Sequence, residues 1–293
     1  MIGICVFLLA IAGYASAITY GNPSTLDGAA YTVSLLLRDG TDPTGQTWIH
    51  RCNGAWMKFD LTTTIDSTTH NGYWVITSAR CFDTYQQPSD WRAKLGARTD
   101  TDTSNVVTQG IRYILRHPTE DIAVVKLSSR PSEASPNRMR VEFPRRNSDA
   151  ATNRSCTLSG WGLTDSLLTD NYENLPLEQY QATAVGITNS WCNSQYYPTI
   201  DAAVFPSDVI CTTNQLGCNN CVDEGPFPSP CKSYDYGAPL ACNFGSEYRL
   251  IGVGTAQDSS QSCGDAFAGV ATPPMWTYVG TYWSWLANTI NAN

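Results

Sequence analysis

The chain contains few basic residues. Its 293 residues include 18 Lys and Arg against 26 Asp and Glu, which gives a formal net charge of −8 and a pI of about 4.8. The densest basic cluster is the pair Arg145-Arg146, which we interpret as part of a solvated loop. Binding to a polyanion depends on a concentrated positive field. The composition therefore argues against nucleic acid, heparin-like polyanions and anionic membranes as main partners.

Long hydrophobic runs are also missing. The uncharged apolar stretch at residues 2–13 is too short to cross a bilayer, and no later stretch is long enough. The small residues Ala15-Ser16-Ala17 follow it, as at the cleavage site of a secretory signal peptide. We therefore predict that residues 1–17 are a signal peptide and that residues 18–293 form a soluble, secreted, extracellular protein.

Helical periodicity is missing from most of the sequence. Short β-branched and aromatic runs alternate with clusters of Gly, Pro, Asn and Asp, which favours many short strands in a barrel or sandwich. Near the C-terminus, apolar residues recur at steps of three and four over Met275–Ile290 and predict an amphipathic helix. The strand candidates are Tyr31–Leu37, Tyr73–Ser78, Val106–Leu115, Ile122–Leu127, Tyr180–Thr188 and Tyr248–Val253.

Cysteine, by contrast, is plentiful. Of eleven cysteines, Cys5 lies in the predicted signal peptide, and the other ten are an even number, as expected for a disulfide framework in an oxidising compartment. The sequence alone does not determine how they pair. Cys218 and Cys221 form a C-x-x-C pair. A local disulfide is favoured there over a zinc site or a redox motif, because further ligands and a βαβ context are missing.

Five segments carry a family resemblance. Residues 74–81 read W-V-I-T-S-A-R-C, residues 121–127 D-I-A-V-V-K-L, residues 156–162 C-T-L-S-G-W-G and residues 231–240 C-K-S-Y-D-Y-G-A-P-L. Together with the C-terminal segment at residues 278–290, they resemble segments of the trypsin/chymotrypsin-like (S1 family) serine proteases, in the same order. The resemblance covers nearly the whole predicted mature chain.

The resemblance implies an all-β fold of two six-stranded antiparallel Greek-key β-barrels with a C-terminal α-helix. The active-site cleft would lie between the barrels. The N-terminal barrel would span about residues 18–145, and the C-terminal barrel and helix about residues 146–293. Because one fold can host many functions, the site residues decide what this chain does.

Two of the three catalytic positions implied by the resemblance are altered. Arg80 stands at the catalytic His and Tyr236 at the nucleophilic Ser, whereas Asp121 stands at the catalytic Asp. A general base needs a pKa near neutral, and arginine stays protonated. A tyrosine phenol without a neighbouring base is a poor nucleophile for an amide. We therefore expect a pseudoprotease in which Arg80 forms an ion pair with an otherwise isolated Asp121.

The features that bind substrate in the family are altered as well. One extra residue precedes Asp235, and the bulky Tyr234 stands beside it, so we do not expect the amides of an oxyanion hole in place. Ser229 stands at the base of the specificity pocket. The wall of that pocket, S-W-G in the family, is replaced by Thr255, Ala256 and Gln257. We expect the Gln257 side chain to intrude where a substrate side chain would enter.

The resemblance also implies pairings between distant residues. The disulfides would be Cys52–Cys81, Cys156–Cys242, Cys192–Cys211 and Cys231–Cys263, with Cys218–Cys221 as an additional local bond. Cleavage after Ala17 would free Ile18, whose new ammonium group would pair with the carboxylate of Asp235. Signal peptidase alone would then produce the ordered form, because no pro-segment precedes Ile18.

The expected function is binding or regulation of another secreted protein, such as a protease, a protease inhibitor or a defence protein. Candidate surfaces are the loops at residues 59–71 and 211–231 and the cleft rim with Tyr236. Tyr236 is either a plug in the former substrate site or an anchor at an interface, where Tyr is enriched. Asn153-Arg154-Ser155 is an N-glycosylation sequon. No metal or other cofactor is expected.

Two other functions are less favoured. A residual hydrolase would use Ser233 or Ser229 as nucleophile with His70 or His117 as base, but nothing in the sequence brings these groups within hydrogen-bond distance. A structural or storage role without a specific partner is not favoured either, because the chain has no internal repeats.

Overall fold

The computed structural model describes most of the chain. The described residues are 18, 21–25, 29–41, 44–59, 64–99, 102–103, 105–132, 139–144, 151–162, 178–196, 207–213, 233–255 and 274–293. The predicted signal peptide and the expected Cys218–Cys221 and Cys231–Cys263 pairs lie outside them. No helix within the described residues is long and apolar enough to cross a membrane.

Short strands dominate these residues. The strands are β1 (Asn22–Pro23), β2 (Thr32–Arg38), β3 (Trp48–Lys58), β4 (Trp74–Thr77), β5 (Trp91–Leu95), β6 (Val107–Arg116), β7 (Ala123–Leu127), β8 (Val141–Glu142), β9 (Ser155–Gly160), β10 (Tyr180–Ile187), β11 (Val209–Thr213), β12 (Pro239–Asn243), β13 (Tyr248–Gly254) and β14 (Met275–Tyr278). The helices are α1 (Ser67–His70), α2 (Asn189–Tyr196) and α3 (Trp283–Asn291). Short 3-10 helices lie at Ala79–Phe82, Pro88–Asp90, Ser233–Asp235 and Val279–Tyr282.

Six strands form the first barrel. Their hydrogen-bonding order is β3, β2, β5, β6, β7 and β4, and β4 pairs with β3 to close the ring. All six pairings are antiparallel. The interior holds buried apolar side chains, including Val33, Leu35, Trp56, Trp91 and Val125. These β-branched, aromatic and aliphatic residues fit a pleated, buried surface, and this is why the sequence forms strands here.

Six other strands form the second barrel. They follow the order β12, β9, β10, β11, β14 and β13, and β13 returns to β12. These pairings are also antiparallel. Ile18, Leu158, Leu240, Ile251 and Trp276 pack together in the interior. The first residue of the predicted mature chain is therefore part of the core of the second barrel.

A third apolar cluster joins the two barrels to the C-terminal helix. It contains Met57 and Trp74 from the first barrel, Leu250 and Val253 from the second, and Leu286 from α3. Strand β8 runs parallel to both β3 and β13 and so bridges the barrels. The predicted architecture of two six-stranded barrels with a C-terminal helix is confirmed. The strands of the two barrels lie on either side of the predicted division near residue 145, which itself stays a prediction.

The C-terminal helix is shorter than predicted. Met275–Tyr278 is strand β14, because its backbone pairs with both β11 and β13 and closes the second barrel. A 3-10 helix follows, and α3 begins only at Trp283. The spacing of three and four residues therefore describes a helix over the last part of Met275–Ile290, while the first part owes its structure to the barrel.

The sequence patterns predicted the strands more accurately than the loops. All six predicted strands occur, with ends displaced by at most one residue. The segment 59–71, predicted as a polar surface loop, is partly core, because Phe59, Ile65 and His70 are buried. Asp66 caps the short helix α1 within it, its carboxylate accepting the backbone N–H of Thr68 at 2.9 Å.

Three disulfides are present in the described residues: Cys52–Cys81, Cys156–Cys242 and Cys192–Cys211. They are three of the pairings that the family resemblance implies. The first ties β3 to the segment after β4, the second joins β9 to β12, and the third fixes α2 on β11. Covalent links of this kind reduce the freedom of the unfolded chain and favour a rigid scaffold.

Candidate functional site

The three positions that the family resemblance assigns to a catalytic triad lie in short segments outside the strands. Arg80 belongs to the 3-10 helix Ala79–Phe82 that follows β4, and the Ser78 hydroxyl caps this helix by accepting the Arg80 backbone N–H at 3.2 Å. Asp121 stands two residues before β7, and Tyr236 follows the 3-10 helix Ser233–Asp235. Because β4 and β7 are paired, Arg80 and Asp121 are brought together.

Hydroxyl and backbone donors hold the carboxylate of Asp121. Ser78 donates its hydroxyl to Oδ1 at 2.5 Å, and the backbone N–H of Arg80 donates to the same oxygen at 3.0 Å. The Thr255 hydroxyl donates to Oδ2 at 2.5 Å. Since Thr255 directly follows β13 of the second barrel, the carboxylate links both barrels.

The guanidinium of Arg80 contributes less to holding the Asp121 carboxylate than the sequence led us to expect. Its Nε lies 3.8 Å from Asp121 Oδ2, and its side chain is 55% exposed, whereas that of Asp121 is 14% exposed. An ion pair is therefore present, but at the solvent boundary, where such pairs add little stability. The carboxylate already has three shorter hydrogen bonds, so it does not depend on Arg80 for its partners.

This geometry predicts how much three substitutions should lower the free energy of unfolding relative to one another. We expect Ser78→Ala and Thr255→Val each to reduce the free energy of unfolding by about 1–3 kcal/mol, because each removes a hydrogen bond to a mostly buried charge. Arg80→Ala keeps the backbone N–H and should cost no more than about 0.5 kcal/mol. Urea unfolding of the three variants measures the order. An Arg80→Ala cost equal to the other two would show that the guanidinium is the main partner.

Tyr236 packs against the protein rather than standing free. Its ring is partly buried on the apolar cluster of the first barrel, which includes Ala79 and Cys81 on either side of Arg80. Its carbonyl oxygen accepts the backbone N–H of Asn53 at 2.8 Å. Both roles left open for this residue, plug and anchor, stay predictions.

Asn53 holds the loop that carries Tyr236, although little in the sequence pointed to this role. This residue of β3 is fully buried. Its side-chain amide donates to the carbonyl oxygen of Tyr234 at 2.9 Å, and its Oδ1 accepts the backbone N–H of Trp161 at 3.2 Å. The one available signal was a polar side chain between Cys52 and the apolar residues 54–57.

Tyr234 is also fixed in place. Its side chain is 6% exposed, and the guanidinium carbon of Arg51 lies 5.1 Å from the centre of its ring. Its carbonyl oxygen lies 3.0 Å from Nε2 of His50, whose Nδ1 lies 2.7 Å from the Ser34 hydroxyl. Ser34 and His50 are thus hydrogen-bonded, but Ser34 is 4% exposed on β2 and is closed to substrate.

Both partners of the expected N-terminal pair are fully buried. Asp235 lies so close to the backbone of Gly162 that a Cβ added there would be 1.9 Å from its Oδ1. Ile18 packs in the second barrel in the same cluster as Ala238, whose backbone N–H donates to the Asp235 carbonyl oxygen at 2.9 Å. Pairing of a freed Ile18 amine with Asp235 stays a prediction.

The two histidines considered as alternative bases pack elsewhere in the fold. His70 ends helix α1, and its Nδ1 accepts the indole N–H of Trp74 at 3.4 Å. His117 packs edge-on against Tyr282 and Trp285, near the C-terminal helix, with ring centres 5.1 and 5.0 Å apart. Of the alternative nucleophiles, Ser233 lies in the 3-10 helix before Tyr236, and Ser229 lies outside the described residues.

His70 should make stability depend on pH. Burial lowers the pKa of His70 below its ordinary value of 6.5, Lys126 lowers it further, and Asp66 opposes this. Between that lowered pKa and about 6.5, the unfolded chain binds more protons than the folded one, so stability falls as pH falls. Denaturant unfolding at pH 8 and pH 5.5 should show a smaller loss for His70→Gln than for the unsubstituted protein. Equal losses would contradict this.

The remaining pocket residues are only partly described. Thr255 contacts Asp121, as given above, while Ala256 and Gln257 lie outside the described residues. The expectation that Gln257 obstructs the pocket therefore stays a prediction. No group of three His, Cys, Asp or Glu side chains in the described part of the chain is arranged to hold a metal ion.

Comparisons with known proteins agree with this architecture. The family model described as Trypsin matches residues 54–285. Chymotrypsin-like elastase family member 1 of Canis lupus familiaris is 25% identical over 259 residues, which cover 85% of this chain and 84% of that protein. The proteins of the same name from Macaca fascicularis and Bos taurus are each 25% identical, covering 85% of this chain and 82% of theirs. Because the family model matches most of its length, and because the described residues form two closed barrels, the chain belongs to the trypsin family of serine proteases.

Proposed function

We propose that this chain is a secreted, catalytically inactive member of the trypsin family that acts by binding another secreted protein. The observation that carries the proposal is the pairing at the former triad. A guanidinium, not an imidazole, lies beside the carboxylate of Asp121, and a tyrosine stands at the nucleophile position.

The chemistry of these groups supports inactivity. Peptide hydrolysis by this family requires a base that takes the nucleophile's proton and returns it to the leaving amine. An arginine side chain does not serve as such a base. Tyr236 is partly buried against the first barrel, and we expect its ring to occupy space that a substrate carbonyl would need.

Exposed side chains in the segment that follows β4 support a binding role. The Arg80 side chain is 55% exposed, and Tyr85, five residues later, is 48% exposed. Arginine and tyrosine are among the residue types that are enriched where binding energy concentrates at protein interfaces. The disulfide Cys52–Cys81 lies directly after Arg80 and fixes this segment on the first barrel. We define the binding surface by Arg80 and Tyr85.

The proposed secreted form begins at Ile18. Cleavage after Ala17 would place an ammonium group on Ile18, which is fully buried in the second barrel. The carboxylate side chain of Asp235 is fully buried as well. A buried charge of this kind requires an opposite charge nearby, and Asp235 would supply it. Mass spectrometry of the secreted protein tests this, and an N-terminus other than Ile18 would remove the argument.

Affinity capture tests the binding role. The bait is the chain from Ile18 to Asn293, compared with the double variant Arg80→Ala/Tyr85→Ala. The matched control is Met139→Ala, which removes the other large apolar side chain exposed among the described residues, at 43% exposure.

We expect the unsubstituted bait and the control to retain the same protein from the native secreted fluid, and the double variant to lose it. Equal retention by all three baits would move the interface to the loops at residues 59–71 or 211–231. No retention by any bait would contradict a protein-binding function.

A further inference from the structure

The turn before β9 presents an N-glycosylation sequon. Asn153, Arg154 and Ser155 are all exposed. Asn153 has a left-handed backbone with φ of 58°, a conformation that asparagine adopts in turns more readily than most residues. Its backbone N–H donates to the Gly186 carbonyl oxygen at 2.9 Å, and the Arg154 N–H donates to that of Ala151 at 3.0 Å. The backbone of the turn is thus fixed while the Asn153 residue faces solvent.

A cavity of about 550 Å³ adjoins this turn and includes Asn153 in its lining. This volume lies within the range of about 300–1,000 Å³ that ligand sites usually occupy. Its other described lining residues are Thr152, Ile187, Thr188, Ser190, Trp191 and Ser194. They combine hydroxyl groups with one large aromatic ring, and none of them carries a charge. Such a lining suits a neutral, hydroxyl-rich ligand and does not suit a charged one.

Trp191 gives the cavity a second feature. It is the one large aromatic side chain in the described lining, and it is partly exposed, whereas its indole Nε1 is buried. The apolar C–H face of a sugar ring can pack on the exposed part of the indole, because the aromatic face is weakly negative.

We propose that Asn153 carries an N-linked glycan whose first N-acetylglucosamine residues occupy this cavity against Trp191. The proposal rests on the secretion that is part of the proposed function, and not on the binding role. In the attachment, Nδ2 of Asn153 forms a bond to C1 of a sugar held on a lipid pyrophosphate. The bond from C1 to the pyrophosphate oxygen breaks, the lipid pyrophosphate leaves with the electron pair, and the amide gives up one proton.

The sequon can be glycosylated before the disulfide next to it forms. Cys156 lies three residues after Asn153 and pairs with Cys242, which follows 86 residues later in the chain. That bond cannot form until Cys242 has been synthesised, so the sequon is still in a flexible chain when it enters the secretory compartment. The chain has one sequon of this type, since Asn22-Pro23-Ser24 is excluded by its proline.

The first experiment measures occupancy in protein secreted from a eukaryotic cell line. We expect mass spectrometry of the intact protein to show the mass of one glycan, and Asn153→Gln and Ser155→Ala to lose it. Ser155→Thr is the matched control, because it keeps the sequon and should keep the glycan. An unglycosylated parent protein that is nevertheless secreted would overturn the proposal. It would leave the binding function to be judged by its own capture experiment.

The second experiment tests the place of the sugar. The glycoprotein, trimmed to its first N-acetylglucosamine, and the Asn153→Gln variant are compared by the NMR signals of their tryptophan indole N–H groups. Trp191→Phe assigns the signal of Trp191. We expect that signal to shift between the two proteins, while that of Trp48, which lies between Arg38 and Arg92 in the first barrel, stays in place. An occupied Asn153 with an unchanged Trp191 signal would overturn the placement in the cavity.

Discussion

The chain from Ile18 to Asn293 is expected to cleave peptide amides at least about 10⁵-fold more slowly than an active member of its family. In a related mechanism, loss of the catalytic base or nucleophile alone removes about 10⁶-fold in kcat, and further losses add little. We propose that Arg80 and Tyr236 stand at the positions of both groups here. Hydrolysis of a broad panel of fluorogenic peptides, with labelling by a fluorophosphonate probe alongside, measures the effect.

Two variants test whether the side chains of Arg80 and Tyr236 contribute to any hydrolysis that is measured. Arg80→Ala and Tyr236→Ala should leave the background rate unchanged, because neither side chain takes part in hydrolysis. Peptidase activity that the probe abolishes in the unsubstituted protein would contradict our proposal. If that activity also survived both substitutions, the nucleophile would have to be sought among other serines, starting with Ser233 and Ser229.

Gly237→Ala is expected to reduce the free energy of unfolding by at least about 3 kcal/mol, the upper range for overpacking combined with backbone strain. Gly237 has φ of 78°, and an added Cβ would lie 2.1 Å from both the carbonyl oxygen of Asn53 and the Thr77 hydroxyl. That hydroxyl donates to the same Asn53 oxygen at 2.6 Å. The methyl group would therefore push the loop of Tyr236 away from β3 and break the contacts that hold it.

Gly245→Ala provides the matched control for this substitution. Gly245 has φ of 93°, also in the left-handed region, but nothing lies within 4 Å of an added Cβ. Its cost should be only that of the backbone, about 1–2 kcal/mol. Urea unfolding of both variants gives the difference, which is the cost of the clash alone. Equal costs would show that the loop around Gly237 moves freely to accept a side chain.

Some residues of the site could be identified from the sequence, and others could not. The motifs identified Arg80, Asp121 and Tyr236 because each lies in a run of residues that reads like the family on both sides. The hydroxyl of Thr255 on Asp121 and the buried amide of Asn53 were not identified. Their partners lie 134 and 181 residues away in the chain, and no local pattern marks contacts of that length.

Among the strands, too, most could be predicted from the sequence and one could not. Periodicity and composition placed the six predicted strands to within one residue. The same reasoning treated Met275–Tyr278 as helix, because Trp276 and Val279 fit a helical spacing. Four residues carry too little periodicity to decide between helix and strand. The open edges of β11 and β13 decide it, since β14 satisfies the backbone hydrogen bonds of both.

The sequence by itself determined the family and the two-barrel fold, and its resemblance to the family assigns Arg80 and Tyr236 to the positions of the base and the nucleophile. These follow from residue identities in short segments, and the chemistry of an arginine is independent of the fold around it. Only the tertiary structure decided that the hydroxyls of Ser78 and Thr255, more than Arg80, hold the Asp121 carboxylate. It also decided that Tyr236 packs on the first barrel. Hydrogen bonds and burial depend on distances between strand ends, and those distances exist only after both barrels have closed.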